Sequence, residues 1–197
     1  MAYKSCAADL AANIQKDCDH PSVNGFTGRG ILIPWEEAPV IVQSNANPRI
    51  LTSITMASLG DKVCVIDNVW TDSFNGTGVQ SNGDNGRVEY VKTIVVRIPR
   101  KGADTSMKIV EPLIDSPKGF LLILERKDKV GDGSFPVFGY LQPVKANADG
   151  IVWNEYENGG DIVATLSCRE AWEEVVMFDT DYATTLAMFE TLMNSAF

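Results

Sequence analysis

The sequence predicts a mainly β fold, a β-sandwich or open barrel carrying an N-terminal and a C-terminal helix and one short packed helical stretch between them. Three observations predict it. Short apolar runs repeat with the two-residue period of strands, and Pro, Gly and Asn separate them. Helical periodicity is concentrated near the two ends. The strand–helix–strand rhythm of a parallel α/β sheet is missing, as is any internal repeat. With 197 residues, 45% apolar and 22% charged, the chain is expected to form one domain, 1–197, with a core that needs neither disulfide nor metal.

Residues 5–18 open the chain as a predicted helix. Cys6, Leu10, Ile14 and Cys18 recur every fourth residue, alanines at 7, 8, 11 and 12 supply propensity, and Ser5 can cap the first turn. Asp19-His20-Pro21 ends it. Strands are then expected at Gly30 to Ile33, Pro39 to Gln43, Ile50 to Met56 and Val63 to Asp67. Residues 71–87 are too polar and too rich in Gly and Asn for a core, and predict a long exposed loop of the kind that orders on meeting a partner. Its candidate contact residues are Phe74, Asn75, Gly76, Gly78, Asn82, Gly83, Asp84, Asn85 and Gly86.

Val88 to Ile98 is the longest predicted strand. Val88, Tyr90, Lys92, Ile94, Val96 and Ile98 share one face, and β-branched residues on the other predict a strand that is central or packed on both sides. Thr105 to Ile114 has helical spacing bounded by Pro112 and Pro117, enough for one or two turns. Phe120 to Glu125 is unbroken apolar sequence, the mark of a buried strand, and runs into a hairpin at residues 128–133. Further strands follow at Pro136 to Leu141, Ile151 to Tyr156 and Ile162 to Arg169, the last paired with a neighbour at Glu173 to Phe178. A closing helix, 180–195, starts at Thr180-Asp181 and carries the stripe Tyr182, Leu186, Phe189 and Met193.

Charge narrows the function classes. Seventeen Lys and Arg against 26 Asp and Glu give a net charge of -9, which argues against a dedicated nucleic-acid binder. The local clusters Arg97, Arg100, Lys101 and Glu125 to Lys129 read as solvated strand ends. No run approaches the 18 apolar residues of a membrane span, and Asp9, Asn13 and Lys16 interrupt any secretory core, so no membrane insertion and synthesis in a cytoplasm are expected. Cys6, Cys18, Cys64 and Cys168 are scattered, as reduced thiols are.

The residues that carry chemistry do not converge. His20 is the only histidine, which leaves a nucleophile a single possible base. Cys6, Cys18 and His20 lack the chelate spacing of a zinc site. Gly28-Arg29-Gly30 starts a strand, where a turn or bulge explains it better than a dinucleotide loop. Asp72, Asp84 and Asp132 with Asn75, Asn82 and Asn85 do not follow the register of a calcium loop. The acid pairs Glu36-Glu37, Glu155 with Glu157, and Glu173-Glu174 read as solvated hairpin faces, not glycosidase dyads. Trp35, Trp70, Trp153 and Trp172 read as core or interface anchors rather than a sugar platform. The expectation is no enzyme, no cofactor and no metal.

A β-sandwich or barrel with a packed helix and a long loop resembles the tail tube proteins of tailed phages and related injection machines. The opening Cys6-Ala-Ala-Asp-Leu-Ala-Ala-Asn-Ile-Gln-Lys-Asp-Cys18-Asp-His-Pro-x3-Gly25 is also similar to the starts of virion structural proteins of tubes and collars. The resemblance implies a homo-oligomeric ring, commonly hexameric, that gives strands to an inner barrel and stacks through the loop at 71–87. Its partners are copies of itself and other virion proteins, and DNA is only a non-specific passenger, which an acidic lumen suits. The expected location is the virion. The alternatives are a phage connector, ring, collar or auxiliary capsid protein, and a carbohydrate- or receptor-binding β-sandwich.

Overall fold

The computed structural model of the chain describes residues 25–37, 39–56, 63–67, 74–82, 88–98, 102–129, 131–152 and 161–195, with the backbone alone at 71–78, 81–82 and 148–149 where these fall in strands. The expected helix at 5–18 lies outside the described residues, as do His20, Cys6, Cys18, Trp70 and Trp153.

Among the described residues eleven strands form two sheets. The larger runs in the order β2 (Val40–Gln43), β3 (Ile50–Thr55), β11 (Val175–Met177), β8 (Pro136–Phe138), β7 (Phe120–Arg126), β1 (Phe26–Pro34), β4 (Cys64–Asp67), and every pairing is antiparallel except β11 with β3. The smaller is an antiparallel sheet in the order β5 (Phe74–Asn82), β6 (Val88–Ile98), β10 (Ile162–Glu170), β9 (Lys145–Val152).

The apolar residues of β7 explain the layering. Phe120, Leu122 and Leu124 point into a core shared with Leu32 of β1, Ile94, Val96 and Ile98 of β6, and Ile162, Ala164, Leu166 and Cys168 of β10. Leu121 and Ile123 point the other way, into a second core with Ile31, Ile33, Leu51, Val137, Met177 and Phe189. β7 is an unbroken apolar run because the large sheet is covered twice, by the small sheet on one face and by α3 (Tyr182–Met193) on the other.

Between β6 and β7 the chain forms α1 (Ala103–Thr105), a π-helical turn (Ser106–Val110) and α2 (Glu111–Asp115), as the spacing of 105–114 predicts. The π turn ends just before Pro112, whose missing N–H interrupts the regular ladder. Val110 and Leu113 close one end of the inter-sheet core. α3 starts where Asp181 Oδ1 accepts from the Thr184 N–H at 2.7 Å. Its buried residues are Thr185, Phe189 and Leu192, so the expected stripe is turned by about one position and Tyr182, Leu186 and Met193 flank it.

Four expectations are corrected. Phe74 to Asn82 is a strand paired residue for residue with β6, not part of a loop. Gly and Asn have poor strand propensity, but a long partner supplies the pairing. Glu173 to Phe178 is not the neighbour of Ile162 to Arg169, since the chain crosses to the large sheet after Glu170. The strand expected at Ile151 to Tyr156 begins at Lys145, and residues 153–156 lie outside the described ones. The strand from Pro136 stops at Phe138 because Gly139 turns the chain at a φ of 85°. The Gly28-Arg29-Gly30 expectation of a bulge does match the geometry, with Gly28 at a φ of 90° where the β1–β7 register shifts.

Candidate functional site

The four-stranded sheet has one face in the core and one outside both described cores. Lys92, Ile94, Val96 and Ile98 alternate inward along β6, which leaves Val91, Thr93, Val95 and Arg97 outward. On β10 the outward set is Val163, Thr165, Ser167 and Arg169. Strand register places Thr77, Thr93 and Ser167 in one row across three strands, with Lys145 of β9 next to Ser167. None of these outward residues belongs to either core. The outward residues of β6 and β10 are half-buried apart from exposed Arg169, and this face is rich in Val and Thr with a few charges.

Both borders of this sheet are open among the described residues, since β5 pairs only with β6 and β9 only with β10. Val79 on β5 is 62% exposed and Val152 on β9 is 45% exposed. An edge strand with exposed β-branched residues and unpaired N–H and C=O groups is a template for another strand. Val40 and Val42 on β2 give the large sheet a shorter edge of the same kind.

Of the expected contact residues, Phe74, Asn75, Gly76, Gly78 and Asn82 therefore belong to an edge strand. Gly83, Asp84, Asn85 and Gly86 lie outside the described residues. Gly76 and Gly78 stand opposite Ile94 and Lys92 on the inward side of the sheet.

The described part of this outward face is not predominantly acidic. Its described ionic residues are Glu89, Arg97, Lys145 and Arg169, with Glu89 and Arg169 3.6 Å apart. Lys145 Nζ donates to the Pro117 carbonyl at 2.7 Å. The acidic excess of the chain does not lie on the described part of this face.

Two carboxylates that sequence reading left unremarked or treated as solvated are buried. Glu125, 1% exposed, accepts hydrogen bonds from Thr27 Oγ1 at 2.9 Å, Arg29 Nη1 at 3.3 Å and the Tyr182 hydroxyl at 2.9 Å. It ties β1, β7 and α3 together. Burial, then the bond to Glu125, push the Tyr182 hydroxyl up to about 12, so it stays protonated and donating. Glu170, 2% exposed, is paired with buried Lys92, and its Oε1 accepts from the Gly139 and Tyr140 N–H groups at 2.9 and 2.8 Å. The signal for the Lys92–Glu170 pair was readable, since Lys92 falls on the apolar face of β6 and Glu170 continues the apolar face of β10.

Burial also pushes the Cys168 thiol up to about 12 and raises that of Cys64, so both are poor nucleophiles near neutral pH. Cys64 borders a cavity of about 310 Å³ between the sheets, lined mainly by apolar side chains such as Leu32, Ile66, Ile98 and Leu113. Among the acid pairs, Glu36 and Glu37 form a single 3₁₀ turn and Glu174 is paired with Arg126, while 155 and 157 lie outside the described residues. Trp35 Nε1 donates to the Gly139 carbonyl at 3.2 Å, and Trp172 stacks on Tyr140. These two tryptophans brace the turn after β8 and do not form an open stacking platform. Among the described residues no group of three or more His, Cys, Asp and Glu could hold a metal ion, and no helix is long and apolar enough to cross a membrane.

No family model, curated protein or solved structure matches this chain.

Proposed function

We infer that the chain is a ring-forming structural subunit of a tailed-phage virion, of the tail tube kind, and that its four-stranded sheet is the part that joins copies. The observation that carries this reading is a sheet with one face in the core, the other face outside both described cores, and a border strand at each side that pairs with no further strand among the described residues. The two borders are different strands, so edge pairing between copies is head to tail, the arrangement that generates rings. Six copies contribute 24 strands. At about 4.8 Å between strands and a tilt of about 40°, these close into a barrel about 48 Å across the backbones, with room for a wide aqueous bore. DNA is a passenger in this reading. Its phosphates would meet Val, Thr and Ser together with Arg97, Lys145 and Arg169, set against the one described acid Glu89, which makes contact with DNA salt-sensitive.

Light scattering and negative-stain microscopy of the purified protein across a concentration series test the proposal. Hollow rings or tubes are expected. A monomer at every concentration overturns it, and unstacked rings of another copy number point to a connector or collar. Val79→Lys places a charge on the exposed β5 border. It is expected to suppress rings while leaving monomer stability within about 0.5 kcal/mol of wild type.

A further inference from the structure

Within the layer between the two sheets the described residues include one buried ion pair, while a backbone bridge between Phe120 and Val144 joins the sheets at one end. Lys92 on β6 and Glu170 on β10 face each other in that layer, and their side chains are 5% and 0% exposed. Between them they reach three consecutive residues at the end of β8 in the large sheet. Lys92 Nζ lies 5.5 Å from the centre of the Phe138 ring, and Glu170 Oε1 takes the N–H groups of Gly139 and Tyr140. That turn is itself braced by the Trp35 bond to Gly139 and by Tyr140 stacked on Trp172. It is also closed to any larger residue, because a Cβ on Gly139 would lie 2.6 Å from the Phe120 carbonyl oxygen.

A buried ion pair is a poor device for stability, since desolvating two charges offsets most of their attraction. Its best-attested use is to select one packing arrangement among several of similar apolar content. The rest of the described core between the sheets is apolar, and apolar packing alone specifies a unique arrangement less sharply than directional contacts do. The Lys92–Glu170 pair is a directional contact in the middle of this layer, and the Phe120–Val144 bridge is one at its end.

We propose that Lys92 and Glu170 are positioning residues that fix the angle of the four-stranded sheet on the seven-stranded one, and through it the copy number at which the β5 and β9 borders of successive copies close a ring. This rests on the ring-forming reading above. A change in the tilt of each sheet changes the angle between neighbours, and a closed ring converts that angle into an integer.

The test compares wild type with Lys92→Met/Glu170→Leu, which removes both charges and both grips. Lys92→Met/Glu170→Gln provides a control that keeps an acceptor for the Gly139 and Tyr140 N–H groups. Native mass spectrometry and class averages from microscopy read the copy number. Hydrogen exchange of the monomer reads the amides of residues 91–94 and 138–140. Expected are a single copy number for wild type, a broadened distribution or open arcs for the Met/Leu variant, and an intermediate result for Met/Gln, with far-ultraviolet circular dichroism unchanged. Faster exchange at 138–140 accompanies the broadening. A Met/Leu variant that forms rings of the wild-type copy number and yield overturns the proposal. Wild type that forms no rings sinks the ring-forming reading instead. The pair is then judged on the monomer alone, where wild-type protection at 138–140 in the Met/Leu variant refutes its positioning role.

Discussion

Glu125 offers a quantitative test of what joins α3 to the sheets. Its carboxylate is buried at the end of β7 and accepts from Thr27, Arg29 and Tyr182, so Glu125→Ala removes three hydrogen bonds to a charged acceptor and leaves a cavity beside Tyr182. Arg29 retains Glu190 at 3.4 Å and is 30% exposed, so its charge is not stranded. The loss should fall at about 3–4 kcal/mol, the low end for breaking a buried charged cluster, and lower Tm by roughly 6–16 °C for a domain of this size. Tyr182→Phe deletes one of the three bonds and should cost about 1.5–3 kcal/mol. Because the hydroxyl acts through Glu125, the two losses should not add. The coupling in a double-mutant cycle should be about 1–2 kcal/mol, measured by urea denaturation followed by circular dichroism at neutral pH. The Tyr182 hydroxyl titrates at about 12 in the fold, above its ordinary value of 10, so its contribution is complete below pH 10 and lost as pH rises towards 12. Tyr182→Phe should therefore flatten that part of the alkaline limb. Additive losses, or an unchanged alkaline limb, would show that α3 is held by the packing of Phe189 and Leu192 alone.

Other outcomes follow from single contacts. Gly139→Ala forces a Cβ against the Phe120 carbonyl oxygen and the Val144 N–H group, at 2.6 and 2.8 Å, in a left-handed backbone, and should cost at least about 2 kcal/mol in urea unfolding. Asp181→Ala removes the acceptor of the Thr184 N–H group and should cost about 1 kcal/mol, checked by the urea midpoint at constant m. Phe189→Ala empties the space between the Phe135 ring at 5.1 Å and the Arg29 guanidinium at 5.5 Å, and should cost about 3–5 kcal/mol in the same assay.

Local chemistry made most of the elements legible. Alternation in Val88 to Ile98 reports one buried face, and the structure places β6 between β5 and β10 with that face in the core. The unbroken apolar run of Phe120 to Leu124 reports burial on both faces, and the two cores meet at this strand. Asp181 announces the start of α3 because a side-chain acceptor is needed there whatever the helix packs against. These properties depend on residues close in the chain.

Pairing over long separations is a different matter. Phe74, Thr77 and Val79 favour a strand but Gly76, Gly78, Asn75 and Asn82 do not, and the segment becomes β5 because β6 offers it a ladder of nine residue pairs. Glu173 to Phe178 reads as the paired neighbour of β10, yet Val175 to Met177 fills the gap between β3 and β8. Lys92 and Glu170 each sit on an apolar face, where either charge alone would be too costly to bury. Only their meeting across adjacent strands, with two free N–H groups of the Gly139 turn at hand, makes the position tenable. Periodicity is written residue by residue and survives in the sequence, whereas strand order, open borders and the partners of buried charges are settled by which distant segments satisfy one another's hydrogen bonds and apolar faces.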